Sequence, residues 1–92
     1  MLQETAETRA LEVLAWLAGQ DDLFPVFMGA TGASRDDLAV RAADAEFLAS
    51  VVDFVLMDDA WVLLWANATG QPPESLSQVR AVLPGGDLPN WT

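Results

Sequence analysis

The most uniformly apolar run of the chain lies in its middle, between residues 44 and 57. At 100° per residue, the apolar side chains of this run cover roughly 200° of a helical wheel, about twice the stripe of an ordinary amphipathic helix. These side chains are Phe47, Leu48, Val51, Val52, Phe54, Val55 and Leu56. Glu46, Ser50 and Asp53 form a narrow polar strip. The pattern predicts a central helix at about 45–57 that the other segments must cover.

Helical spacing also marks the segments before the central helix. Apolar residues recur every three or four positions over residues 3–18, which predicts an amphipathic first helix that ends at the following glycine. A second helix is predicted at about 23–30, because Pro25 is tolerated in a first turn, and it would turn Leu23, Val26 and Phe27 to the core. A short third helix is predicted at about 35–43.

Ser and Asp precede most of these segments, where a side-chain oxygen can accept a bond from an unpaired backbone N–H. The expected caps are Asp21 or Asp22 for the second helix, Ser34 for the third, Asp44 for the central helix and Asp58 or Asp59 for the fifth. If neither Asp58 nor Asp59 caps a helix, the alternative is one continuous helix over residues 45–68. A change of apolar phase at these aspartates favours a break.

Two further helices are predicted after the central one, at about 59–68 and 73–82. On the first of these, Trp61 and Trp65 share a face with Leu64 and Ala68, which indicates a core-facing side. The prediction is therefore an all-α, compact bundle of five to six short helices. It comprises a single domain over residues 1–83 and a C-terminal tail over 84–92.

Several short motifs of this chain resemble a known family of small helical bacterial proteins. They are Leu14-Ala15-Trp16-Leu17-Ala18, Asp37-Leu38, Ala43-Asp44, Phe47-Leu48, Val51, Asp53-Phe54, Leu56, Asp58-Asp59-Ala60 and Gly70-x-Pro72-Pro73-Glu74. The family is domain of unknown function 3572, and the resemblance runs from residue 10 to residue 83. It implies an intact small α-helical domain, and it brings no known activity, cofactor or catalytic residue.

Charge narrows the choice of partners. The formal net charge is −10, because the chain has 14 acidic residues, four arginines and no lysine. Such a surface repels phosphate backbones, so nucleic acid and anionic membranes are not expected as partners. A basic protein or a cation is a better match.

The chain has no Cys, His, Tyr or Lys, which removes thiol, imidazole and Schiff-base chemistry. Carboxylates remain as possible catalytic groups or metal ligands. The acidic pairs 21–22, 36–37 and 58–59 are therefore candidate ligands for a hard cation such as calcium or magnesium. Each pair also lies where a helix is predicted to begin, and none lies in a calcium-binding loop, so we expect caps, with no metal, cofactor or catalytic site.

Glu46 and Asp53 are the paired carboxylates of the central helix. Two helical turns separate them by ~10.5 Å, beyond the ~5–9.5 Å of paired catalytic carboxylates in glycosidases. We expect them to form a solvated strip or to pair with Arg41 or Arg80.

Three apolar residues are candidates for a contact surface. Trp16 lies off the apolar arc of the first helix, Leu63 lies away from the tryptophan face of its helix, and Trp91 lies in the tail. The alternatives are that another helix covers the first two and that Trp91 docks on its own domain. The leading hypothesis is a non-enzymatic protein–protein interaction module, cytoplasmic and homodimeric. A carboxylate enzyme and an acidic mimic that binds a basic protein are the competing hypotheses.

Overall fold

A computed structural model describes residues 1–85 of the chain, and in that range every regular element is helical. The elements are α1 (Gln3–Ala18), α2 (Phe24–Thr31), a 3-10 turn (Arg35–Asp37), α3 (Leu38–Arg41), α4 (Ala45–Leu56), α5 (Asp59–Thr69) and α6 (Ser75–Val82). The all-α bundle predicted from the sequence is confirmed. No helix in residues 1–85 combines the length and the apolarity that a bilayer crossing needs.

Helix α4 lies at the centre of the bundle, as its broad apolar arc predicted. It packs against α1, α2, α5 and α6. Seven of its side chains are buried, namely Phe47, Leu48, Ala49, Val51, Val52, Phe54 and Val55. Glu46 and Asp53 stay exposed on the predicted polar strip. Burial of each of the larger side chains contributes about 1.5–3 kcal/mol relative to leaving it in water.

Aspartate caps separate α4 from its neighbours in the chain. The carboxylate of Asp44 accepts a bond from the Glu46 backbone N–H at 2.9 Å, and that of Asp58 accepts one from the Ala60 N–H at 2.8 Å. Asp58 itself has an extended backbone, which ends the helical path after Met57. The predicted break between α4 and α5 is therefore confirmed.

Two other predicted caps are wrong. No side-chain cap precedes α2, because the Phe24 N–H bonds to the Gln20 carbonyl and Pro25 has no N–H to cap. The Ser34 hydroxyl accepts no capping bond either. The 3-10 turn that follows is closed by its backbone, with the Asp37 N–H bonding to the Ser34 carbonyl at 3.0 Å.

The core side of α2 differs from the prediction in part, because Leu23 and Phe27 are buried as predicted but Phe24 is buried in place of Val26. Phe24 and Phe27 are 3% and 0% exposed, whereas Val26 is 51% exposed. The two phenylalanines lie three residues apart on one helical face, and their larger apolar area takes the core. The guanidinium of Arg35 covers the Phe24 ring from outside, 5.1 Å from its centroid.

On α5 the expected core face is wrong in part. Trp65 is buried as predicted, but its buried companions are Val62 and Ala66. Leu64 is 47% exposed and Ala68 is exposed as well. The spacing 62, 65, 66 is also that of one helical face. The apolar arc of α5 is therefore wide enough for either set of residues to form the core-facing side.

Helix α6 closes the described part of the chain, and an ion pair ties it to α4. The Arg80 Nε atom lies 2.6 Å from the Asp53 Oδ1 atom. This is one of the two arginine pairings that the sequence offered for the carboxylates of α4. The same guanidinium donates to the carbonyl oxygens of Leu83 and Pro84. Most of the predicted tail, including Trp91, lies outside the described residues.

Candidate functional site

Exposed large apolar side chains occur along the whole described chain, and α5 is the helix that carries two of them. Leu63 is 54% exposed and Leu64 is 47% exposed, and Trp61 is half-buried. Successive residues of a helix point about 100° apart, so the two leucines lie on different flanks of α5. Trp61 and Leu64 are three residues apart and share one flank.

A groove runs between this flank and the turn that joins α1 to α2. It is lined by Gln20, Asp21, Asp22, Leu23, Trp61 and Leu64, and its volume is about 490 Å³. We call it the acidic groove. Its apolar wall comes from α5, and its carboxylates come from the turn. Both aspartates are exposed and neither caps α2, so both carboxylates are open to another partner.

An aromatic stack fixes the wall of the acidic groove. The Trp61 ring is stacked on the Phe54 ring with centroids 4.7 Å apart and planes 22° apart. Phe54 in turn contacts Phe27 edge-on at 5.4 Å. Because Phe54 is buried in α4, the stack anchors Trp61 to the core. The ring face opposite Phe54 is the face left for another contact.

All four arginines of the chain are used in contacts within the described residues. The contacts are Arg9 to the Gln71 side chain, Arg35 to the Phe24 ring, Arg41 to Asp37 and the Phe47 ring, and Arg80 to Asp53 and two carbonyls. Within residues 1–85, Asp37 and Asp53 are the acidic residues that lie in ion-pair distance of an arginine. The other carboxylates there therefore present the negative charge of the chain to solvent.

A second pocket, of about 330 Å³, lies among α1, α5 and α6. Its apolar lining includes Val13, Trp65 and Val79, which are all buried. Arg9 donates to the Gln71 side-chain oxygen at 3.2 Å, and both residues line this pocket together with polar groups of both charge signs. Such a lining does not select the charge of an occupant.

Trp16, the first of the predicted contact residues, is half-buried and packs against the core cluster. Its indole Nε1 atom is buried and has no hydrogen-bond partner among the described residues. A buried N–H without a partner costs about 1–3 kcal/mol. Trp16 is thus a half-buried part of the bundle surface, and its contact role stays a prediction.

Leu63 is exposed, and Trp91 lies outside the described residues. The structure does not place Leu63 in the acidic groove, where Leu64 faces Gln20 at the end of α1. Sequence analysis missed Leu64 as a surface residue, because its spacing to Trp61 and Ala68 resembled a core stripe. The Val62, Trp65 and Ala66 spacing was the signal that could have identified it.

The acidic pairs do not come together in one place. Asp58 caps α5, the pair 36–37 lies in the 3-10 turn, and Asp21 and Asp22 lie in the α1–α2 turn. Residues 1–85 contain no group of three carboxylates that could hold a metal ion.

These features define a small all-α protein with an acidic surface and two grooves beside its peripheral helices. The family comparison agrees with the resemblance seen in the sequence. The chain belongs to the family described as protein of unknown function (DUF3572), whose sequence profile matches residues 3–86. No curated protein and no solved structure gave a match.

Proposed function

We propose that this protein is a non-enzymatic helical module that binds other proteins. The observation that carries the proposal is the outer surface of α5, where Leu63 and Leu64 are about half exposed and Leu64 shares its flank with Trp61, which is stacked on Phe54. Contiguous exposed apolar surface with a polar rim is typical of protein contact sites. Tryptophan is also among the residues that contribute most to binding at such sites.

A carboxylate enzyme, with or without a metal ion, is the competing proposal. Several carboxylates that it would need are already engaged, since Asp44 and Asp58 cap helices and Asp53 pairs with Arg80. A general acid or base other than a carboxylate is limited by the composition of the chain, which has no His, Cys, Tyr or Lys. These points favour the interaction module.

Self-association is one form that this function takes, and we propose a two-fold homodimer through a surface that includes Leu63 of α5, with Trp16 of α1 as a second candidate contact. A two-fold arrangement is the commonest way for a chain to cover its own apolar patch. Two subunits of charge −10 repel each other, so the dimer should strengthen as salt screens the repulsion.

Sedimentation velocity at micromolar concentration, in ~50 and ~300 mM salt, tests the homodimer. Leu63→Gln should weaken the dimer, because it removes an exposed leucine without disturbing the core. Val40→Gln is the matched control, since Val40 is 77% exposed on α3. A monomer at both salt concentrations, or equal effects of the two variants, would contradict the homodimer through this surface.

A basic partner protein is the other form of the same function, in which the chain acts as an acidic mimic. The support is the excess of carboxylates over arginines, which gives the chain a net charge of −10 and leaves its surface acidic. We also propose that the protein is cytoplasmic and bacterial, as expected from the sequence. Fractionation of bacterial cells that express the tagged chain tests the location.

A further inference from the structure

We infer that the acidic groove is the docking site for an arginine of a partner protein, together with an apolar side chain beside that arginine. The inference rests on the proposed interaction function and names the surface and the chemistry of the partner. The groove offers two carboxylates on one wall and an aromatic ring with a leucine on the other. A guanidinium with an adjacent apolar group matches both walls.

The carboxylate wall consists of Asp21 and Asp22. In the described residues, neither lies in ion-pair distance of an arginine and neither caps a helix. A guanidinium presents several N–H groups in a planar fork, so it can bond to neighbouring carboxylates at once. A lysine ammonium is a more strongly hydrated point charge and fits this wall less well.

The apolar wall consists of Trp61 and Leu64. Trp61 is held by the 4.7 Å stack on Phe54, so its ring is already in place before a partner arrives. Preorganisation lowers the entropy cost of binding. A guanidinium over the free face of a tryptophan gains a cation–π interaction, and the exposed part of Leu64 is available to an apolar neighbour of the arginine.

Charge decides between a partner and a second copy of this chain. A two-fold contact at this groove would bring two Asp21–Asp22 pairs toward each other, and the net charge of −10 adds to that repulsion. Two of the four arginines, Arg41 and Arg80, already pair with aspartates of the same chain, so a second copy supplies fewer cations to this groove than a basic partner does. A basic partner, in contrast, is attracted by the whole surface as well as by the groove.

The test is an NMR titration of the ¹⁵N-labelled full chain with a short capped peptide that carries arginine next to leucine. We expect the largest shifts at the Trp61 indole N–H and at the backbone amides of the α1–α2 turn. The same peptide with lysine should bind more weakly, and the peptide with glutamate should not bind. Equal affinity for the arginine and glutamate peptides would overturn the inference.

Matched variants separate the groove from the general acidity of the surface. Asp21→Asn combined with Asp22→Asn should weaken binding of the arginine peptide by about 5- to 30-fold, because two ion contacts are lost. Asp36→Asn with Glu74→Gln removes the same charge outside the groove and should weaken it by less than about 2-fold. Neither control side chain caps a helix or lines the groove. Equal losses in the two double variants would show that the groove is not the site.

Trp61→Phe tests the aromatic wall while it keeps a ring on Phe54, and we expect an affinity lower by about 2- to 5-fold. Circular dichroism confirms that each variant is folded before it is titrated. Peptide shifts that map to the Leu63 flank would overturn the groove inference and leave the interaction function standing. The sedimentation experiment decides the homodimer independently, so the two proposals can fail separately.

Discussion

Phe54 is the residue on which both the core and the acidic groove depend, so its truncation is the most informative perturbation. It is 5% exposed, and its ring contacts Phe27 at 5.4 Å and Trp61 at 4.7 Å. Removing a buried phenylalanine to the β-carbon typically costs about 3–5 kcal/mol of stability. A domain of 92 residues has a total unfolding free energy of about 5–14 kcal/mol, so Phe54→Ala should remove a large share of it.

Asp53→Ala is the matched control, because Asp53 is the neighbour of Phe54 on α4 and lies on the exposed polar strip. Its carboxylate pairs with Arg80, but the Asp53 side chain is 53% exposed. Solvent screening limits such a contact to about 0–1 kcal/mol. Arg80 also keeps its bonds to two backbone carbonyls after the substitution. Asp53→Ala should therefore change the stability little.

Urea unfolding followed by circular dichroism measures both variants. With a slope of about 1–3 kcal/mol per molar urea, Phe54→Ala should lower the midpoint by about 1–4 M, and Asp53→Ala by less than about 1 M. Val51 is fully buried on the same apolar arc, so Val51→Ala should lower the urea midpoint by more than Asp53→Ala does. Equal midpoint shifts for all three variants would refute the helical phase of α4 and with it the anchoring of Trp61.

Three further outcomes follow from the helix ends and the acidic pairs. Asp58→Ala should lower the melting temperature by the equivalent of about 1 kcal/mol through loss of its cap, whereas Asp59→Ala should not; equal shifts would contradict the cap. Gly29→Ala should stabilise α2 by about 0.5–1 kcal/mol, because nothing lies within 4 Å of the added carbon, whereas Gly70→Ala should destabilise at its φ of 73°. About 1 mM calcium or manganese should leave the melting temperature at the ionic-strength control, since a specific ligand at 100 times its dissociation constant would add about 2.7 kcal/mol.

Sequence reasoning correctly predicted the parts of the fold in which one local pattern has no competing interpretation. The arc of α4 is so broad that no choice of phase could expose it, and the Asp44 and Asp58 caps each precede a helix with a free N–H to bond. Asp21 precedes a helix too, but Pro25 and the Gln20 carbonyl leave it nothing to cap. Capping propensity alone cannot show whether a backbone donor is still available.

The acidic groove could not be predicted, because its walls come from segments about 40 residues apart in the chain. Local periodicity gave α5 an apolar arc but could not say which part of that arc meets α4. In the structure, Val62, Trp65 and Ala66 fill the contact, and Trp61 stacks on Phe54 at its edge. Leu64 is left outside by that choice. Its exposure is a consequence of tertiary packing, which selects the Val62, Trp65 and Ala66 stripe over the alternative one.

The position of each helix in the bundle explains why apolar surface remains at α5. With 52% hydrophobic residues, the chain has more apolar surface than one small core buries. Helix α4 is surrounded by four helices, so its apolar side chains are covered by other parts of the same chain. Helix α5 packs mainly on α4, so the flanks that carry Leu63 and Leu64 stay exposed. The Leu64 flank lines the acidic groove together with Asp21 and Asp22, and Leu63 does not line it. We therefore propose different partners for the two flanks, a basic protein at the first and a second copy of the chain at the second.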